Sequence, residues 1–224
     1  VFDTETTGLD PRSGDRLVEI GCIEMVNRVP TGAVFHAYFN PERGMPAEAE
    51  AVHGLSEAFL SDKPKFGERA EELIAFLGDS PLVAHNAGFD FGFLNHELAA
   101  CGLEAVDRDR MVDTVAIARR KHPGAKLSLD ALCTRYGIDR SHRTKHGALL
   151  DAELLAQLYV ELMGGRQIGL ELAAEAAASV QTEELAAVAV TRVFRTPRPH
   201  AASEAELARH VEFMAGFSDP VWSR

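Results

Sequence analysis

The opening segment "VFDTETTG", Val1 to Gly8, sets two carboxylates two residues apart in a run of β-branched and aromatic residues. In an extended strand, side chains at i and i+2 share a face, so Asp3 and Glu5 stand side by side, about 7 Å apart along the backbone. Two like charges held in this way repel. A solvated strand face would relieve them, and so would a divalent cation ligated by both. The second reading gains weight only if further acids lie where burial forbids a bare charge.

Two such acids follow. In "GFDFGFLNHELAACG", counted from Phe89 at about 100° per residue, Asp90 falls at about 100°, between Phe93 at about 40° and Leu98 at about 180°. In "GALLDAELLAQLYVELMGG", counted from Leu149, Asp151 falls at about 200°, among Leu154, Leu158 and Leu162 at about 140° to 220°. An unpaired carboxylate on a buried face costs several kcal/mol or takes up a proton. A cap or a structural ion pair would account for either acid alone, since Asp is common in the first turn of a helix. Both together with Asp3 and Glu5 point to a shared metal site. His146 precedes Asp151 by five positions, about 140° away on a helix, so the two cannot share a helical face. Gly147 places His146 on the loop that enters the helix, where a histidine is free to move.

The elements that must hold these residues form a mixed architecture. "RLVEIGCIEMV" and "AVFHAYF", separated by "NRVPTG", join the opening segment as three expected antiparallel strands. "FGERAEELIAFLGD" has helical spacing with a stop at Gly78, and "PLVAHN" is a short buried strand. Helical spacing dominates the rest, through the Asp90 stretch, "TVAIARRKH", "SLDALCTRYG" and the Asp151 stretch.

With 224 residues and 46% hydrophobic content, the chain is long enough for a real core. No apolar run reaches the roughly 18 residues of a membrane span, and the N-terminus lacks a basic signal region, so a soluble, cytoplasmic protein with no membrane partner is expected. Cys22, Cys101 and Cys133 have neither disulfide nor zinc spacing and are expected as free thiols. The net charge of −11 argues against bulk electrostatic binding to nucleic acid. Its distribution is uneven, however: residues 108 to 146 hold ten Lys or Arg against four Asp, a local +6 that leads into "TKHGALLD".

Together, "FDTETTG", "HNAGFDFGFLN" and "HGALLDAELLA" resemble the three exonuclease motifs of the DEDD superfamily in its histidine-containing branch, in matching order and spacing. Within that branch the chain is similar to the epsilon subunits, the proofreading 3′ to 5′ exonucleases of bacterial DNA polymerase III. "EIGCIEMVNR", "VHGL", "SLDALCTRYGID" and "RTKHGALLDAELLA" carry that similarity, closely over residues 1 to 165 and more loosely beyond. The resemblance implies an RNase H-like α/β fold, a mixed five-stranded sheet flanked by helices, with a C-terminal tail. It implies that Asp3, Glu5, Asp90 and Asp151 hold two Mg²⁺ or Mn²⁺ ions, and that His146 acts as general base. It also implies that Thr6, His53, Asn86 and Phe89 hold the terminal nucleotide; a turn hydroxyl, a surface histidine, a helix cap and a core aromatic are the alternatives for these four. The chemistry is consistent: two hard cations about 3.5 to 4 Å apart clamp the entering and leaving oxygens of a phosphodiester displacement. An ordinary histidine, with a pKa of about 6.5, is a suitable proton acceptor. Bound cations would also let an acidic protein admit a polyanion.

Three functions follow. The first is removal of mismatched nucleotides from a DNA 3′ end during replication, the second an exoribonuclease built on the same residues, and the third a non-catalytic module that stabilises a polymerase. The tail favours the first over the second. Residues 1–165 are expected as the exonuclease domain, 166–202 as a linker and 203–224 as a polymerase-binding tail. In the linker, "QIGLEL" resembles peptides that dock on the bacterial sliding clamp through Gln167, Leu170 and Leu172; the first turn of an Ala-rich helix is the alternative. "SEAELARHVEFMAGF" has the Ser203 and Glu206 spacing of a capping box and a stripe of Leu207, Val211 and Met214, which predicts a short amphipathic helix. The resemblance implies that Leu207, Val211 and the single tryptophan, Trp222, are anchors on the polymerase alpha subunit.

Overall fold

A computed structural model of the chain describes residues 1–141, 143, 145–165 and 201–216. It divides into two units, Val1–Leu172 and Ala173–Arg224. The first unit opens on β1 (Phe2–Thr6), β2 (Leu17–Val26) and β3 (Val29–Tyr38), antiparallel in the order β1-β2-β3. The hairpin between β2 and β3 is tighter than the sequence suggests. Only Asn27 and Arg28 form its turn, both with positive φ (51° and 67°), as a two-residue hairpin turn matched to strand twist demands. Pro30 and Gly32, read as part of a longer turn, lie instead within β3. That strand is the edge of its ladder, where a missing N–H is tolerated.

After β3 come α1 (Ala47–His53), α2 (Glu57–Leu60) and α3 (Phe66–Leu77), the last ending at Gly78 as expected. Next are β4 (Leu82–Ala84), α4 (Gly88–Ala100), β5 (Met111–Asp113), α5 (Thr114–Lys121), α6 (Leu129–Tyr136) and α7 (Ala148–Leu162). β4 and β5 pair in parallel, Leu82 with Met111 through Ala84 with Asp113. The five strands are thus mixed in direction, as expected, but pair as a three-stranded antiparallel sheet and a two-stranded parallel one rather than as a single five-stranded sheet.

Helices cover the antiparallel strands on both faces. Phe2 pairs with Cys22, and these residues join Phe35, Leu73, Phe91, Leu94 and Leu98 in a core under α3 and α4. The residues of alternate parity, Asp3 paired with Gly21 and Glu5 with Glu19, face the other way. There the start of α7 seats on β2, and Leu155, Leu158 and Leu162 form a second cluster with Ala118 of α5 and Leu132 of α6. In the second unit, α8 (Glu204–Ala215) carries the expected capping box: Ser203 Oγ accepts from Glu206 N, and Ser203 N donates to Glu206 Oε2 at 2.8 Å. Leu207 and Val211 on its stripe are exposed. Gln167, Leu170, Leu172 and Trp222 lie outside the described residues. Among the described residues, no helix is long and apolar enough to cross a membrane.

Candidate active site

Four carboxylates from three elements meet at β1. Asp3 and Glu5 project from the strand, Asp90 comes from the first turn of α4, and Asp151 from the first turn of α7. Asp90 and Asp151 are each 3% exposed, as their place in the apolar arcs predicts, and Glu5 is buried too. Thr4 Oγ1 donates to Asp90 Oδ1 at 2.7 Å and so ties α4 to the strand. His146 lies on the loop before α7, as expected from Gly147. Its backbone N–H donates to Val52 O at 3.3 Å, and Nδ1 is 3.1 Å from Asp151 Oδ2. Among the described residues, Glu5, His146 and Asp151 each offer a ligand atom within 4.8 Å of the others.

The neighbourhood strains these acids electrostatically. Burial, then the Asp90, Glu5 and Asp151 charges, push the Asp3 carboxyl well above the usual range. Burial, then Asp151 and the cross-strand Glu19, raise Glu5 to about 8. Burial raises Asp90 to about 7 against the pull of the Thr4 hydrogen bond. An acid group that so resists ionising is suited to a divalent cation, which would neutralise the repulsion that causes the shift.

The residues expected to hold a nucleotide are brought together in part. Thr6, His53 and Phe89 line one cavity of about 440 Å³, with Leu9, Val52 and Glu5. His53 Nδ1 accepts from Leu55 N at 3.0 Å, and Nε2 is buried without a well-formed hydrogen bond among the described residues, although the Thr6 backbone interacts with the ring. Thr6 Oγ1 donates to Gly8 O at 2.6 Å, so its hydroxyl serves the turn while its side chain lines the cavity. Asn86 does not line this cavity. It is exposed at φ 64° on the turn between β4 and α4, where its N–H donates to Asp113 Oδ1. Ala87, not Asn86, is the N-cap of α4.

Other residues at the site escape the sequence reading. Gly21 is one: a Cβ there would fall 2.4 Å from Leu149 Cα and N, so only glycine lets α7 seat on β2 beside Asp3. A glycine inside a strand is the available signal. Arg143 is another, counted above only as part of a charge run. Its Nε and Nη2 donate to Asp151 Oδ1 and Oδ2 at 2.5 and 2.7 Å.

A family model described as an exonuclease, RNase_T, matches residues 1–159. The DNA polymerase III subunit epsilon of Rickettsia felis is 47% identical over 219 residues, spanning 96% of this chain and 94% of that one. The chain belongs to the epsilon-subunit family of exonucleases. A second epsilon subunit, from Escherichia coli, is 41% identical over 217 residues, or 94% of this chain and 89% of its own. Among solved structures, Exonuclease X in complex with 5′ overhanging duplex DNA matches at 28% identity with a TM-score of 0.55, over 72% of this chain and 89% of that chain. The nuclease domain of 3′hExo, a DEDDh family member bound to rAMP, matches the fold at 16% identity with a TM-score of 0.63 over the same shares.

Exonucleases of this family generally use divalent metal ions, and the acid cluster then predicts a pH dependence. An acid whose folded pKa lies above its unfolded one holds a proton in the folded state that the unfolded state has lost, so stability falls as pH rises between the two values. For Glu5 that window runs from 4.5 to about 8. Chelated protein should melt at steadily lower temperature across this range, and added Mg²⁺ should raise the melting temperature more at pH 8 than at pH 6. Thermal melting with chelator and with Mg²⁺ checks it; a gain independent of pH would place the cations elsewhere.

Proposed function

We propose that the chain is the proofreading 3′ to 5′ exonuclease of a bacterial DNA polymerase III, which removes mismatched 3′-terminal nucleotides as nucleoside monophosphates. The observation that carries this reading is the convergence of Asp3, Glu5, Asp90, Asp151 and His146 beside an apolar cavity, in a chain 47% identical to an epsilon subunit over nearly its whole length. The four carboxylates would hold two Mg²⁺ or Mn²⁺ ions. When bound, such ions supply Lewis acidity at the attacking and leaving oxygens of the phosphodiester.

The chain's own residues do the rest. Arg143 Nη2 lies 2.7 Å from His146 Nδ1 and 3.3 Å from Nε2; once that contact is released, Nδ1–H would donate to Asp151 Oδ2, 3.1 Å away, and leave Nε2 as the acceptor for the proton of the attacking water. Because His146 is half-exposed on a loop, it can reach a water at the cluster and pass the proton on to solvent. Phe89, Leu9 and Val52 offer a face for the terminal base, and His53, lining the same cavity with no well-formed hydrogen bond at Nε2, offers a donor to a substrate oxygen. Asn86, outside the cavity, would reach only substrate beyond it. Three free cysteines suit a reducing cytoplasm.

The tail is the proposed tether. The exposed Leu207 and Val211, with Trp222, would anchor on the polymerase alpha subunit, and "QIGLEL", through Gln167, Leu170 and Leu172, would dock on the sliding clamp. Tethering raises the local concentration of nuclease at the primer end, which offsets weak affinity of an acidic protein for DNA. One experiment tests both parts. The full chain with Mg²⁺ should release nucleoside monophosphates from a DNA 3′ end faster than from a matched RNA; deletion of residues 199–224 should keep that activity and lose co-purification with the alpha subunit. Changing Gln167 and Leu170 to alanine should remove only clamp binding. Preference for RNA would make the chain an exoribonuclease, and no release at all would leave a non-catalytic polymerase module.

A further inference from the structure

Arg143 is the most heavily engaged cation at the site. Its side chain is 8% exposed, although it lies on the loop between α6 and α7. The guanidinium forks onto both oxygens of Asp151, Nη1 donates to Asp130 Oδ1 at 2.7 Å, and Nη2 is 2.7 Å from His146 Nδ1. It is also a charge that lowers the pKa of both Asp3 and Glu5. The comparison with Arg16 is instructive. Arg16 forks onto buried Glu97 in the same manner, at 2.7 and 2.9 Å, but that pair joins the residue just before β2 to α4 and includes none of the four clustered acids. Arg143 instead forks onto one of those acids.

We propose that Arg143 is a resident counter-cation that competes with a divalent cation for Asp151 and must release that carboxylate before the cation is held there. The inference rests on the two-cation reading above. A carboxylate retains lone pairs beyond the two that a guanidinium fork occupies, but a divalent ion on those would lie within a few ångströms of the guanidinium charge. Repulsion at that distance inside a partly buried site is strong, so the two cations exclude each other. Asp130 supplies the place to which Arg143 withdraws. It is half-exposed, already accepts from Arg143 Nη1, and also accepts from Arg140 Nη1 at 2.9 Å. Withdrawal also frees His146 Nδ1 to donate to Asp151 Oδ2, so arrival of the cation and orientation of the base become one event.

The test is Mn²⁺ binding to the full chain in the absence of DNA, measured by titration calorimetry and by electron paramagnetic resonance of free Mn²⁺. Arg143→Gln removes the charge and keeps an amide of similar reach. It should bind the weaker-held Mn²⁺ about tenfold more tightly than the unaltered chain, the factor expected for losing one competing charge-assisted contact. Arg143→Lys keeps the charge but cannot fork, and should fall between the two. Unchanged or weaker binding by folded Arg143→Gln would overturn the proposal and leave Arg143 a structural tie; if that variant does not fold, the same outcome in Arg143→Lys overturns it. Absence of Mn²⁺ binding in every form would instead overturn the two-cation reading, and this inference with it.

Discussion

Replacing Asp3 by alanine is expected to reduce hydrolysis of a DNA 3′ end to background and to weaken divalent-cation binding in parallel. Burial first, and then the Asp90, Glu5 and Asp151 charges, push the Asp3 carboxyl well above the usual range, so it stands among the negative charge that the cations would balance. Removing it relieves that repulsion, so the folded protein should become no less stable in the presence of chelator, while the site loses a ligand that any cation bound there would share. His146→Ala should behave differently. Loss of a general base costs about 10²- to 10⁴-fold in turnover, but a half-exposed loop histidine contributes little to holding hard cations that prefer oxygen. Calorimetric Mn²⁺ titration beside single-turnover kinetics separates the two. Equal loss of cation affinity in both variants would make His146 a ligand and remove its assignment as base.

The reason part of this site is legible in sequence, and part is not, shows in the buried acids themselves. Asp90 and Asp151 announce themselves because helical periodicity puts them where leucines and phenylalanines should be, and burial does follow. Glu97 sits on the same face of α4 and is as deeply buried, yet it is satisfied by Arg16, 81 residues away in sequence. Periodicity identifies a buried charge and says nothing about its partner. What distinguishes the cluster is the i, i+2 pair of β1, since two acids on one face of a covered strand have no local means of relief. The same limit hides Arg143, whose contacts to Asp130 and Asp151 exist only because α6 and α7 pack side by side.

Secondary structure follows a similar rule. Long periodic helices such as α3, α4 and α7 carry their own signal, and the capping box of α8 is read directly from Ser203 and Glu206. β5 is three residues long, and its parallel partner lies about thirty residues away, so no local alternation marks it. The start of β3 is misread because Pro30 and Gly32 are turn residues by composition; only the edge position of the strand makes them acceptable there.

Gly21→Ala is expected to be the most damaging single substitution outside the acids and His146, and to act without touching any of them. The added Cβ would lie 2.4 Å from the Leu149 Cα and N and 2.6 Å from the Ala148 carbonyl carbon. Ordinary contact begins about 1 Å farther out. Those neighbours are backbone at the first turn of α7, so no side-chain rotation relieves the clash; the helix end must lift from β2. Asp151 lies two residues beyond Leu149 and Gly21 pairs with Asp3, so the lift opens the cluster directly. A displacement of about 1 Å in such a site costs on the order of 100-fold in rate, and overpacking costs about 1–3 kcal/mol in stability. Gly92→Ala in α4 is the control, because a Cβ there meets nothing within 4 Å and alanine favours the helix. Turnover, Mn²⁺ affinity and melting temperature should all fall for Gly21→Ala and hold or rise for Gly92→Ala. Full activity in Gly21→Ala would mean that the seating of α7 on β2 does not set the position of Asp151.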